Sequence, residues 1–240
     1  MDNRVPVSCD GKNSLIIDPR DLGDTQTRPT LFLVRHAEST GNRGARLQGS
    51  RIGGALSDRG HKQSEATATY LFDSFHELRS GKARLISSPS SRALQTAQQI
   101  ANRLHCETYV ESGLAELDFG EWSGNLVAQL ENDPVYLRWK ADPWSHAPPG
   151  GESLREVQKR VCRTVSDLII RAAGLDERLV VVTHFFPLLA LFDVFTPDRQ
   201  VRCDNASVSR VEAKDAGWLV THINEVGHLR EFAPTPVRYV

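Results

Sequence analysis

Residues 31 to 42 of this 240-residue chain read LFLVRHAESTGN, and this stretch carries the main evidence for the fold. The four consecutive apolar residues from Leu31 to Val34 predict a strand that is buried on both faces. Arg35 and His36 follow directly, and the chain then turns to small and polar residues. This order places a cation and an imidazole at the carboxyl end of a buried strand, where open α/β sheets bind their ligands.

Arg35 and His36 also predict a type of chemistry. A histidine ring can attack phosphorus and form a covalent intermediate when the ring is held still and the charge of the transferred group is neutralised. Arg35 can supply the neutralising charge. Taken alone, such a pair is more often a surface ion pair or a hydrogen-bonded loop histidine, so the hypothesis depends on the other segments.

The composition narrows the function classes. The chain has 29 basic and 30 acidic residues, so no overall field attracts nucleic acid or an anionic membrane surface. Its four cysteines are widely spaced and form no C-x-x-C pair, which argues against a zinc site or a disulfide framework. No apolar run is long enough to span a membrane, and polar residues follow Met1. We therefore expect a cytoplasmic protein with reduced thiols.

A second strand end carries another arginine. Residues 84–87 predict a short strand, and the segment from Ala93 to Leu104 has apolar residues at helical spacing. Arg92 then lies in the first turn of this helix, just after a strand end. Two guanidinium groups that meet at one phosphate favour Arg over Lys, because the planar fork matches the oxygens of the anion. An arginine paired with a surface carboxylate is the alternative.

A third strand end carries a histidine. Residues 179–183 predict a doubly buried strand that ends at His184, and an apolar helix to about Phe195 follows it. His184 would then lie beside a helix N-terminus, where backbone N–H groups and the helix dipole favour an anion. Standing alone, His184 would more often be a capping or core histidine.

The segment LAELDFGEWSG, residues 114–124, holds the three carboxylates Glu116, Asp118 and Glu121 among apolar residues and glycines. A carboxyl group that is partly desolvated there would have a raised pKa. It could donate a proton to a leaving oxygen and later activate a water molecule. Three solvated loop carboxylates are the alternative, and spacing alone does not choose among the three.

The remaining patterns are typical of an α/β chain. The loop from Asn42 to Leu56 contains two pairs with glycine, Gln48-Gly49 and Gly53-Gly54, and such a loop can bring backbone N–H groups close to an anion. Three more elements are predicted: a helix from Ser57 to about Leu78, a helix that begins at the capping box of residues 153–156, and an edge hairpin over residues 206–212 and 218–223.

Together these segments resemble the histidine phosphatase superfamily, which has the phosphoglycerate-mutase-like fold. The likeness rests on five motifs that occur in the family's order: residues 35–42, 88–97, 114–124, the PGGES turn at 149–153 and the strand with histidine at 180–184. The resemblance implies a three-layer α/β/α fold with a mostly parallel central sheet, an antiparallel edge hairpin and a smaller helical cap over the site. We expect a catalytic domain over residues 31–223, between an N-terminal arm (1–30) and a C-terminal tail (224–240).

The resemblance also implies a phosphohistidine mechanism. His36 is the expected nucleophile, and Arg35, Arg92 and His184 are expected to hold the phosphoryl oxygens. Glu116 is singled out as the general acid and then the general base. Neither a metal nor another cofactor is implied, because cationic side chains take the place that magnesium has in other phosphotransferases.

Three further residues, Asn42, Gln48 and Gly49, fall where the family places additional phosphate contacts. The chain departs from the family's pattern at Ala37, where glycine is usual, and at Phe185, where a small residue is usual. A further departure is the loop before Ser57, which is one residue longer than usual.

Phe185 is expected to contact the substrate. With Trp122, Trp139 and Trp144 it hints at a substrate with a partly apolar organic body. The alternative is that Phe185 and its neighbour Phe186 fill the core under the helix.

The expected function is a metal-independent phosphatase of the histidine acid phosphatase type, which hydrolyses a small-molecule phosphomonoester. A cofactor-dependent phosphoglycerate-mutase-type phosphotransferase is one alternative, but such mutases carry a longer basic insertion after the acid motif. Residues 125–149 have only Arg138 and Lys140 as permanent cations. A non-catalytic module that binds a phospho-ligand or a protein is the other alternative. It predicts the loss of His36, Arg92 or Glu116, and all three are present.

Overall fold

A computed structural model describes residues 15–23, 28–79, 81–173, 175–196 and 201–232. Its strands are β1 (Thr30–Arg35), β2 (Ala83–Ser87), β3 (Thr108–Val110), β4 (Arg178–Thr183), β5 (Val208–Lys214) and β6 (Gly217–Glu225). They form one sheet in the order β3-β2-β4-β1-β5-β6. The first four strands run parallel, and the β5–β6 hairpin is antiparallel at one edge. The predicted α/β architecture with an antiparallel edge hairpin is therefore confirmed.

Seven α-helices connect or cover these strands in the described residues. They are α1 (Thr40–Arg43), α2 (Asp58–Ser74), α3 (Ser91–Leu104), α4 (Val127–Leu130), α5 (Pro134–Ala141), α6 (Leu154–Ala172) and α7 (Phe185–Phe195). Short 3₁₀ helices occupy Pro19–Leu22, His76–Leu78, Ser112–Leu114, Gly120–Trp122 and Gly227–Leu229. Within the described ranges, every helix is too short or too polar to cross a lipid bilayer.

The sheet divides the core into two layers, as the apolar run in β1 predicts. Leu31 and Leu33 point to the face covered by α6 and α7, whereas Phe32 and Val34 point to the face covered by α2 and α3. All four side chains are fully buried. Because successive residues of a strand point to opposite faces, a strand between two helical layers must be apolar throughout.

The strand register brings three chain segments to one edge of the sheet. Arg35 pairs with Thr183, and Ser87 pairs with Val182. β1, β4 and β2 are neighbours and end at almost the same level. The residues that follow them, His36, His184 and Ser88, therefore come from distant parts of the chain to a common edge.

Helix α2 packs closely on the turn that follows β1. The Ser57 side chain accepts a hydrogen bond from the Gly60 N–H and caps the helix, as predicted. A Cβ atom at Gly60 would lie 1.9 Å from the carbonyl oxygen of Glu38, so only glycine permits this approach. The helix ends at Ser74, four residues before the predicted end, and a short 3₁₀ turn follows.

The structure describes residues 15–23 and 28–30 of the N-terminal arm, and the first of these stretches packs against the core. Ile16 is buried. The Ile17 N–H donates to Ser166 Oγ at 2.9 Å, and its carbonyl accepts from Trp218 Nε1 at 2.8 Å. In the tail, Leu229 is also buried. Residues 1–14 and 24–27 of the predicted arm and 233–240 of the predicted tail lie outside the described residues, so both segments are described only in part.

Candidate active site

His36 lies at the carboxyl end of β1 with its ring held in one orientation. Its Nδ1 is 2.7 Å from the carbonyl oxygen of Ala37. Because a carbonyl oxygen only accepts hydrogen bonds, Nδ1 carries the proton of the neutral ring and Nε2 keeps its lone pair. The Nε atom of Arg92 donates to Nε2 at 3.2 Å. The basic nitrogen thus faces a guanidinium group in a buried position.

The backbone around His36 is fixed by neighbouring segments. The His36 N–H donates to the Thr183 carbonyl at 2.9 Å, which ties it to the end of β4. Its own carbonyl accepts from Asn205 Nδ2 at 3.0 Å. The Ala37 N–H donates to Thr96 Oγ1 at 3.0 Å. These bonds come from three different elements, so they fix the histidine in place before any ligand binds.

Arg35 and Arg92 are almost fully buried, and backbone carbonyl groups orient both. Arg35 Nη1 donates to the Cys203 carbonyl at 2.6 Å. Arg92 Nη2 donates to the Gly49 carbonyl at 3.0 Å, and its Nη1 donates to the Ile52 carbonyl at 3.3 Å. Gly49 has a φ of +58°, which favours glycine at this position. Helix α3 begins at Ser91, so Arg92 lies in its first turn.

His184 lies next to His36 at the end of β4. The ring centroids are 5.0 Å apart. Its Nε2 is 2.7 Å from Ser88 Oγ and 3.3 Å from Ser90 Oγ. Its Nδ1 is buried and has no hydrogen-bond partner in the described part of the chain. His184 is therefore oriented by serine hydroxyl groups, whereas His36 is oriented by a backbone carbonyl.

Both histidines are electrically neutral at ordinary pH. Burial lowers the pKa of His36 well below its usual value, and the positive charges of Arg92 and Arg35 lower it further. Burial likewise lowers the pKa of His184, and Arg92 and His36 act in the same direction. A neutral imidazole keeps the lone pair that a nucleophile needs.

Glu116 is the acidic residue of the 114–124 segment that reaches this edge. One of its carboxylate oxygens accepts from the Leu117 N–H at 3.0 Å and from the Phe186 N–H at 3.2 Å. Burial raises the pKa of Glu116, although Arg92 and the two N–H groups oppose the shift. Asp118 instead forms an ion pair with Arg51 at 2.8 Å. Glu121 is exposed.

A small cavity joins most of the predicted site residues. The residues that line it are Arg35, His36, Asn42, Gln48, Gly49, Arg92, Glu116 and Phe119. Seven of these eight were predicted from the sequence. Three short chain segments and one helix turn supply them, so a single anion in the cavity could contact cations that are up to 57 positions apart, from Arg35 to Arg92.

His184 is not among the residues that line this cavity, and neither is Phe185. Phe185 is buried, and the Arg35 guanidinium lies 5.4 Å from the centre of its ring. The ring of Phe186 packs in the core against Phe119 and Trp139. Phe185 thus supports an arginine from behind, and Phe186 contributes its backbone N–H to the Glu116 carboxylate.

The tryptophans after the acid motif also belong to the core. Trp122 and Trp139 are buried and pack edge to face with ring centroids 5.8 Å apart. Tyr136 completes this group, and Trp144 is partly buried against the same cluster. Packing in the core therefore explains why aromatic residues occur at these positions, without any contact to a substrate.

Sequence analysis missed several residues at this edge. Ser88 and Ser90 orient His184, Asn205 holds the His36 carbonyl, and Phe119 lines the cavity. Ser88 had a usable signal, because it follows a buried strand just as His36 and His184 do. Asn205 precedes an antiparallel strand in a loop, where no sequence pattern marks it. Across the described ranges, no group of three or more His, Cys, Asp or Glu residues could hold a metal ion.

The sequence profile of the histidine phosphatase superfamily, branch 1, matches residues 31–226. The chain belongs to this superfamily. Phosphoserine phosphatase 1 of Hydrogenobacter thermophilus is 33% identical over 209 residues, which cover 84% of this chain and 95% of that protein. A probable phosphoglycerate mutase of Proteus mirabilis is 27% identical over 217 residues, which cover 85% and 96%.

Solved structures of the superfamily show the same fold. A mycobacterial glucosyl-3-phosphoglycerate phosphatase in complex with VO3 has a TM-score of 0.70 and 27% identity, and the match covers 82% of this chain and 99% of that one. Longer mycobacterial relatives are 33% identical over 222 residues, and the chain spans 58% of their length. The family assignment thus rests on sequence and on structure.

Proposed function

We propose that this chain is a phosphatase that hydrolyses a small-molecule phosphomonoester through a phosphohistidine on His36. One observation carries the proposal: a neutral, oriented imidazole, two buried guanidinium groups and a buried carboxyl group with a raised pKa meet at one small cavity. The phosphatases among the relatives support the same reaction class.

In the first step, Nε2 of His36 attacks phosphorus. The bond from phosphorus to the ester oxygen breaks, and its electron pair goes to the leaving oxygen, which takes a proton from Glu116. Arg35 and Arg92 neutralise the charge on the phosphoryl oxygens. We place the proton of His184 on Nδ1, with the Ser88 hydroxyl donating to Nε2 at 2.7 Å, so that Nδ1–H is a further donor for one of these oxygens from just outside the cavity lining.

In the second step, water attacks the phosphohistidine. The Glu116 carboxylate accepts a proton from the water, the phosphorus–nitrogen bond breaks and its electrons return to Nε2 of His36. Inorganic phosphate leaves, and both residues regain their starting protonation states. The buried Arg92, whose Nε contacts Nε2 of His36 at 3.2 Å, remains beside the transferred group in both steps.

The substrate we propose is compact. Phe119 is the single aromatic residue among the described residues that line the cavity. Phe185, Trp122 and Trp139, which hinted at an apolar substrate body, are buried in the core, and Trp144 is partly buried against it. Phe119 is therefore the contact for any apolar part of the substrate.

Mutase activity has less support from the cap. Arg138 and Lys140 of α5 are exposed and are absent from the residues that line the cavity. Among the described residues 125–149, no cation lines the cavity, so a phosphoryl group on His36 would meet no side chain of this segment that could hold a second phosphate for transfer. We propose water as the acceptor.

The test is phosphate release from 4-nitrophenyl phosphate in the presence of EDTA. We expect turnover in the unmodified protein and in the control variant His61→Ala, but not in His36→Ala. Full activity of His36→Ala would refute the proposal. If 3-phosphoglycerate is converted to its isomer faster than phosphate is released, the mutase alternative is correct.

A further inference from the structure

A second cavity among the described residues is separate from the one at His36. It has a volume of about 450 Å³ and lies beside the first turns of α2, the loop before β5 and the segment after β6. We call it the side cavity and define it by Arg59, Arg202, Arg230, Leu229 and Phe232, which line it with other residues. It shares no lining residue with the cavity at His36.

The wall of the side cavity carries excess positive charge. Arg59, Arg202 and Arg230 face one carboxylate of the wall, Asp204. Arg202 pairs with Asp204 at 3.1 Å, and its side chain is largely exposed. Arg59 is paired with Glu38, which does not line the cavity, so Arg230 is the cation that gives the wall its excess positive charge, and this charge favours an anionic ligand.

Arg59 also has hydrogen-bond donors without an acceptor. Its Nη1 lies 3.6 Å from a carboxylate oxygen of Glu38. Its Nε and Nη2 atoms are buried and have no hydrogen-bond partner in the described structure. Buried donors without partners are costly and uncommon in native proteins. Neither atom is accessible from the cavity, so Arg59 contributes its positive charge to the wall, which suits a carboxylate, sulfonate or phosphate group.

The rest of the wall is apolar. Val226 and Phe232 are partly buried, and Leu229 is buried. A cavity of this volume, with an apolar wall and a few convergent polar groups, is typical of a site for a small organic molecule. The combination of apolar wall and guanidinium groups selects a molecule with both an apolar body and an anionic group.

We propose that the side cavity binds a small organic anion, whose acidic group contacts Arg59 and Arg230 and whose apolar body packs on Leu229 and Phe232. This ligand is distinct from the ester hydrolysed at His36. The two sites are close, because Asn205 lines the side cavity and also donates to the His36 carbonyl. The inference does not depend on the proposed phosphatase activity.

The probe for this site is 8-anilinonaphthalene-1-sulfonate, an aromatic sulfonate, with binding followed by fluorescence and calorimetry on the full chain. We expect one site per chain. Arg59→Gln should weaken binding about tenfold or more, and Arg230→Gln about threefold, because each variant removes a positive charge from the wall. Arg163→Gln, which changes an exposed arginine on α6, should change the affinity by less than about twofold.

Two comparisons complete the test. The neutral analogue N-phenyl-1-naphthylamine should bind more weakly than the sulfonate, and saturating orthovanadate should leave sulfonate binding unchanged. Displacement by orthovanadate would place the probe at His36 and overturn the proposal. Equal affinity of the neutral analogue, an unchanged affinity in both Arg59→Gln and Arg230→Gln, or no binding at all would also overturn it. If Arg59→Gln fails to fold, the exposed Arg230 decides the outcome.

Discussion

The two histidines at the sheet edge have the same structural context and different hydrogen bonds. His36 follows β1 and His184 follows β4, which are paired strands, and both rings are buried. His36 has its Nδ1 proton on a backbone carbonyl and directs Nε2 to Arg92 and the cavity. His184 has its Nε2 on the Ser88 hydroxyl. The Ala37 carbonyl fixes the tautomer of His36, and His36 lines the cavity whereas His184 does not. These differences, and not burial or pKa, separate a nucleophile from a donor.

The largest effect is expected at His36. Replacing it with alanine removes the atom that forms the intermediate, so kcat/KM for 4-nitrophenyl phosphate should fall about 10⁴-fold or more. His61→Ala in α2 is the matched control and should keep nearly full activity. Comparable losses in both variants would mean that the His36 effect is one of folding.

His184→Ala should have a smaller effect. It removes one donor to the phosphoryl oxygens and leaves the nucleophile, so we expect a loss of about 10²- to 10³-fold in kcat, as for one oxyanion-hole donor. Rapid-quench labelling should still show a phosphoryl group on His36. If this variant is as inactive as His36→Ala and takes no label, the two histidines do not have the separate roles that their hydrogen bonds indicate.

Glu116→Gln should separate substrates by their leaving groups. Its carboxylate is held by the N–H of Phe186, two residues after His184, so the β4 end positions the acid as well as the donor. We expect a loss of about 10²-fold for an alkyl phosphate and a much smaller loss for 4-nitrophenyl phosphate, whose leaving group needs no proton. Glu121→Gln is the matched control from the same segment. Equal slowing of both esters would assign proton donation to another carboxyl group.

The pH profile of kcat/KM should have an acidic limb set by His36 and an alkaline limb set by Glu116. His36 attacks only when neutral, so kcat/KM falls as the pH decreases through its lowered pKa. Glu116 must be protonated at first, so kcat/KM for an alkyl phosphate falls as the pH rises through its raised pKa. Each fall approaches about tenfold per pH unit. The alkaline limb should vanish in Glu116→Gln, and its persistence there would contradict the role of Glu116.

The smallest effect is expected at Ser88. Ser88→Ala removes the 2.7 Å contact to His184 Nε2 but leaves Ser90 at 3.3 Å. We expect kcat to fall about threefold to tenfold with little change in KM, because a positioning hydrogen bond is lost. Ser74→Ala, at the exposed end of α2, is the control. Similar changes in both variants would show that the serine contact does not orient His184.

Sequence patterns predicted the strand ends well because their physical cause is local. A strand between two helical layers needs an uninterrupted apolar run, and the residue after it must lie at the edge of the sheet, so Arg35, His36 and His184 could be placed. Arg92 followed from helical periodicity. Glu116 is different, because spacing alone does not distinguish it from Asp118 and Glu121 as the general acid. Only the family resemblance singles it out.

Long-range packing explains what was missed. Asn205 reaches the His36 carbonyl across 169 positions of sequence, and no local pattern encodes that contact. Aromatic residues such as Trp122 and Trp139 are common in ligand-binding surfaces, but here their rings are buried against each other. The side cavity combines Arg59 with residues near the other end of the chain. Such sites depend on the assembled fold and not on any one segment.

The most direct test of the account is to identify the residue that carries the phosphoryl group during turnover. The protein is mixed with 4-nitrophenyl phosphate, quenched in alkali, which preserves phosphohistidine, and digested for mass spectrometry. We predict phosphorylation of His36 that forms at least as fast as steady-state turnover and is absent in His36→Ala. A phosphoryl group on His184, or turnover with no phosphorylated residue, would contradict the account.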